Sequence, residues 1–205
     1  MRTKSLLLAA CLSLAPLTAP AALAQDVTGS GVVPGSVANS AERPIGFAAS
    51  APAKGVLVVL MADATLPALD AVGVGAGERA AIEAAIVNAK FDGKANATLS
   101  LRGIGAHSRI LLVGTGAAPA MLALAEASGK AAQELKSDAQ PVTLTGAFTG
   151  AQGAEAGYGF ALGQYRFDRY KTVDRKAPPA DAVTIVGGDS AAAGSAFAAR
   201  WRPLA

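Results

Sequence analysis

Apolar and polar positions change rhythm several times along the chain, and each rhythm predicts an element. The run Val56-Leu57-Val58-Val59-Leu60 has no polar alternation, which predicts a strand buried on both faces at the centre of an α/β sheet. An earlier apolar stretch, Ile45–Ala49, is separated from it by Pro52 and Gly55. The pair reads as a hairpin or two neighbouring strands. From Gly77 to Lys90 the period becomes helical, with Ile82, Ala85, Ile86 and Ala89 on one face and Glu78, Arg79, Glu83 and Asn88 on others. Alternation over Ala97–Leu101 predicts a half-exposed strand. Arg109–Val113 predicts a second buried one, ending in Gly114-Thr115-Gly116.

A second helix is expected from about Pro119, which suits a first helical turn, to Lys136. Met121, Leu124, Ala125, Ser128, Ala132 and Leu135 form its inner stripe, and Glu126, Lys130 and Glu134 stand outside. Val142–Thr145 reads as a strand. A third helix spans about Gln152 to Tyr165, with Tyr158, Ala161, Leu162 and Tyr165 at helical spacing. Each of its glycines 157, 159 and 163 costs roughly 1 kcal/mol against alanine in a helix interior. Gly159 and Gly163 share a face, so a close neighbour is the expected compensation. Beyond Pro178-Pro179, Ala182–Val186 predicts a last strand, and Ser190–Arg200 begins a last helix. Strands and helices alternate, which predicts a three-layer α/β/α domain with a mixed, largely parallel sheet. The leading hairpin would supply the antiparallel part.

The first 24 residues obey a different logic. Arg2 and Lys4 precede an apolar run from Ser5 to Leu17, and Ala22-Leu23-Ala24 ends the segment before Gln25. This is the three-part pattern of a secretory signal peptide cleaved near Ala24. Pro16 and Pro20 interrupt a stretch already too short for a spanning helix, which needs about 20 apolar residues. Leu8-Ala9-Ala10-Cys11 also looks like a lipobox, but Cys11 lies early and the apolar run continues past it. The ordinary signal peptide is preferred, with lipoprotein processing at Cys11 as the alternative. The expected destination is the periplasm or the extracellular space. Residues 25–44, rich in small and polar types with Gly and Pro, read as a tether. The domain proper is placed at 45–189, and 190–205 as the start of an outgoing helix.

Removing the leader changes the charge. The full chain has 18 basic and 15 acidic residues, a net of +3. Without Arg2 and Lys4 the balance is 16 against 15, or +1. Such a domain has no global electrostatic claim on nucleic acid or an anionic membrane. The single cysteine leaves with the leader, so no disulfide is expected. Aromatic residues are only 5% of the chain, so close packing of small side chains must build the core.

Candidate chemistry is sparse. His107, the one histidine, falls in a loop and reads as a surface residue, with no second histidine or cysteine to share a metal. No G-x-S-x-G elbow occurs. Gly114-Thr115-Gly116 lies between a strand and a helix, where backbone amides can meet a phosphate. Pro119 takes the place of the third glycine of a dinucleotide fingerprint, so an ordinary turn is the preferred reading. Gly73-Val74-Gly75-Ala76-Gly77 reads as a flexible connection. Arg166, Arg169, Lys171, Arg175 and Lys176 interleave with Tyr165, Phe167 and Tyr170, a composition that can grip single strands. The preferred reading sets the cations at a helix C-terminus and the aromatics in the core. No nucleic-acid partner is expected. The sequon Asn96-Ala97-Thr98 is read as chance.

The phrase from Ala154 to Lys171, closing on Tyr165-Arg166-Phe167-Asp168-Arg169-Tyr170-Lys171, resembles the end of the N-terminal domain of the leucyl aminopeptidase (cytosol aminopeptidase) family. Phe91-Asp92-Gly93-Lys94 and the arginine-led strand Arg109–Val113 with its Gly-x-Gly ending are similar to that family in matching order. The resemblance covers about Ile45 to Ala205. It implies a macro-like α/β fold that does no chemistry itself, beside a second domain that holds two divalent metals, zinc or manganese, and removes N-terminal residues from peptides. The family's catalytic phrase, asparagine-threonine-aspartate-alanine-glutamate-glycine-arginine, is absent from these 205 residues. No catalytic or metal-binding residue is therefore assigned, no ligand-binding residue is identified, and no cofactor is expected in this stretch. The expected function is an exported domain, inactive alone, with a structural or assembly role. Its partner would be a separately encoded catalytic domain or a full-length homologue. The alternative is a nucleotide or ADP-ribose binding module. Oligomeric state, and whether the chain is a fragment or a stand-alone domain, are left open.

Overall fold

A computed structural model describes residues 43–165 and 181–201. In chain order the elements are β1 (Ile45–Ala48), β2 (Val56–Met61), α1 (Ala76–Ala89), β3 (Thr98–Leu101), β4 (Arg109–Gly114), α2 (Met121–Glu134), β5 (Val142–Gly146), α3 (Gly150–Gln164), β6 (Val183–Val186) and α4 (Ser190–Trp201). A short 3-10 turn occupies Asp70–Val72. The strands form one sheet in the order β1-β6-β5-β2-β4-β3.

All neighbours run parallel except β3, which pairs antiparallel with β4. The fold is thus α/β with a mixed, mostly parallel sheet. Its antiparallel part is not where the sequence pattern put it. Strands β1 and β2 form no hairpin and are not neighbours: Ile45 pairs with Val183 of β6, while Val56 sits between Val142 and Arg109. Burial explains the separation. Every residue of β2 is buried, so it gains most from a partner on each side and a covering layer on each face. Strand β1 is only half-buried and accepts an edge. The two are three strand spacings apart, about 14 Å, within reach of the connecting residues 49–55.

The alternation of β2 divides the core. Val56, Val58 and Leu60 join Leu111, Val113, Leu144 and Ile185 beneath α2 and α3, where Leu124, Leu135 and Phe160 fill the layer. Leu57, Val59 and Met61 face the other way, with Ile110 and Leu112. There they meet Ile82 and Ile86 of α1, and Leu66, Leu69, Val72 and Val74 of the segment leading to it. Residues Leu66 to Val74 thus supply much of this second layer, and Val74 is buried although Gly73–Gly77 was expected to be a flexible connection. Helix α1 buries only Ile82 and Ile86 of its predicted stripe, and Val87 is 74% exposed.

Helices α2 and α3 meet through small residues. A Cβ on Gly159 would collide with the backbone of Ala125, and one on Gly163 with the backbone of Gly129. The shared face anticipated for the two glycines is real, and the neighbour is a helix. On the opposite side of α3, a Cβ on Gly157 would lie 2.9 Å from Ile185 Cδ1 and 2.9 Å from Phe47 Cζ. Three glycines that weaken the helix locally let it sit between α2 and the sheet.

Candidate functional site

Ligands of open α/β sheets bind beyond the C-terminal ends of the parallel strands, so the donors at that rim decide what it can do. The three amides of Gly114-Thr115-Gly116 all point inward. Gly114 donates to Ala97 O at 2.8 Å, Thr115 to Met61 O at 2.8 Å and Gly116 to Gly93 O at 2.9 Å. The Thr115 hydroxyl adds a bond to Met61 O at 3.1 Å. A phosphate would have to break these bonds to reach the amides. The turn is structural.

The rim above β5 and β6 is likewise satisfied from within. Helix α3 is capped by Thr149, whose Oγ1 accepts from Gln152 N at 3.3 Å while Gln152 Oε1 accepts from Thr149 N at 2.8 Å. This reciprocal box fills two of the donors that a helix start leaves open. At α4, Asp189 Oδ1 accepts from Ala192 N at 3.0 Å. Gly188, with φ of +59°, packs against the Phe148 carbonyl and the Thr149–Gly150 peptide. Here only glycine fits.

The motif residues have structural work. Phe91 is buried, and Gly93 (φ +71°) lies where a Cβ would come within 2.6 Å of the Asp63 backbone. Asp92 and Lys94 form an exposed ion pair at 2.6 Å. The hydrogen bonds from Lys94 lower the Asp92 pKa, and the bond to Asp92 raises that of Lys94. Such a surface pair stabilises little. Arg109 donates from Nε to Ser100 Oγ at 2.8 Å and approaches Asp138 at 3.6 Å, tying β4 to β3 and to the turn before β5.

His107 corrects the expectation of a surface histidine. It is only 3% exposed, with Nε2 at 3.2 Å from the Val72 carbonyl, and its Nδ1 has no protein partner. The segment before α1 folds onto the 102–108 loop and covers the ring. Arg43 was also missed. Its guanidinium donates to the carbonyls of Gln140, at 2.5 Å, and Asp138. Its backbone exchanges bonds with the Gln164 side chain at 3.1 and 3.0 Å. Burial lowers the Arg43 pKa, against the raising effect of Asp138 and Asp181. Pro44 O accepts from Val183 N at 2.9 Å. Both residues, placed by composition at the end of the tether, are built into the domain. An isolated arginine after a polar stretch carries no periodic signal of burial.

Tyr165, expected to tuck inward, is 49% exposed. Residues 166–176, which close the phrase and carry its basic stretch, lie outside the described residues, as do the leader and Cys11. Among the described residues, aromatic contact gathers at α4. Phe197 lies 5.4 Å from Phe47 and stacks at 5.8 Å on Trp201, which meets Tyr158 edge-on at 6.0 Å. Arg200 covers the Tyr158 ring at 3.8 Å and pairs with Glu155. Among the described residues no group of three or more His, Cys, Asp and Glu side chains is placed to hold a metal. No helix there is long and apolar enough to cross a membrane.

The element order and the six-stranded sheet define an α/β domain with a mixed, mostly parallel sheet. Residues 54–174 match the model of the cytosol aminopeptidase family, N-terminal domain, and the chain belongs to that family. A probable cytosol aminopeptidase of Rhodopseudomonas palustris (strain BisB18) is 34% identical over 159 residues, covering 71% of this chain and 32% of the relative. The chain therefore spans about a third of that relative's length. Among solved structures, a mutant of tomato leucine aminopeptidase superposes with a TM-score of 0.58 at 16% identity, over 78% of this chain and 36% of that one. The bottromycin maturation enzyme BotP gives 0.46 at 16% identity, over 73% and 30%. At this identity the tomato likeness is one of fold.

Proposed function

We propose that this domain is the exported, non-catalytic N-terminal part of a leucyl-aminopeptidase-like metallopeptidase, and that its role is structural: to fold against and support a catalytic domain. The family match over residues 54–174 carries the reading. The inward-pointing amides of Gly114–Gly116 support a scaffold over a nucleotide-binding module. In the family that the chain resembles, two divalent metals, zinc or manganese, activate the chemistry in a second domain. The corresponding catalytic phrase does not occur in these 205 residues. Metal ligands must then come from other residues, on the same polypeptide or on a separate partner. The partner on this reading is a catalytic domain of the same family, and neither nucleic acid nor a membrane is one.

The test is direct. Purified protein comprising residues 25–205 is incubated with leucine p-nitroanilide and manganese, and no turnover above buffer is expected. Appreciable turnover overturns the non-catalytic assignment. Supplying a catalytic domain of the family in trans is expected to retain the domain on an affinity column bearing that partner. Failure to bind overturns the supporting role.

A further inference from the structure

We draw no further inference here: the strongest candidate, the surface patch formed along the outer ridge of α3 by Tyr158, Leu162 and Tyr165 beside Arg200 and Trp201 of α4, is an apolar face, and nothing in the structure shows what covers it.

Discussion

A single buried ring holds together two segments that sequence alone leaves apart. His107 bonds to the Val72 carbonyl, so truncation to alanine opens a cavity and leaves that carbonyl unpaired. His107→Ala is expected to destabilise the fold by about 2–4 kcal/mol, read as a lower urea midpoint with unchanged slope. An unchanged midpoint would show that the ring does not hold the two segments together. Arg43 acts similarly just before β1, on the turn that leads into β5. Arg43→Ala removes a charged donor from two carbonyls and is expected to cost about 2–3 kcal/mol. Arg43→Lys should recover only part of this, because a point-like ammonium does not reproduce the guanidinium fork. Full recovery in urea denaturation would reduce the contact to simple charge.

Between elements, the α2–α3 contact sets the tightest geometric demand. The clash of a Gly159 Cβ is with the backbone of Ala125, which cannot rotate away. Gly159→Ala should cost about 1–3 kcal/mol or more through overpacking, although alanine is the better helix former. Gly77 is the internal control, since nothing lies within 4 Å of a Cβ there. Gly77→Ala should raise stability by about 0.4–1 kcal/mol through chain entropy. Thermal melts of the two variants should therefore move in opposite directions. A shift of the same sign would show that helix propensity, not contact, governs both sites. The repeat of Gly159 and Gly163 was readable as a close approach from spacing alone. Its partner was not, because Ala125 and Gly129 are ordinary small residues until α2 is laid beside α3.

For the whole molecule, the proposed export makes a prediction that is independent of the fold. Expressed with residues 1–205 in a Gram-negative host, the protein should appear in the periplasm with Gln25 as its first residue, established by mass spectrometry of the intact chain. A lipid-modified Cys11 at the mature terminus would select the lipoprotein route instead, and retention of Met1 would exclude processing. The charge balance bears on handling as well. Removal of residues 1–24, as proposed, would bring the net charge from +3 to +1 and leave little long-range repulsion between copies.

Several features were determined by the sequence: the number of strands and helices among the described residues, the buried character of β2 and β4, the α/β class and, through its motifs, the family. These rest on periodicity and unbroken apolar runs, which act within a few residues of one another. Strand order was decided only in three dimensions. Ile45–Ala48 pairs with β6, a partner far along the chain, because β2 takes the centre, where both its faces are covered. The same holds for the candidate site. A glycine-x-glycine turn between strand and helix looks locally like an anion cradle. Its amides became structural donors only when Met61, Gly93 and Ala97 brought their carbonyls to it. Whether a backbone donor is free is a property of what lies opposite it, and that is set by packing.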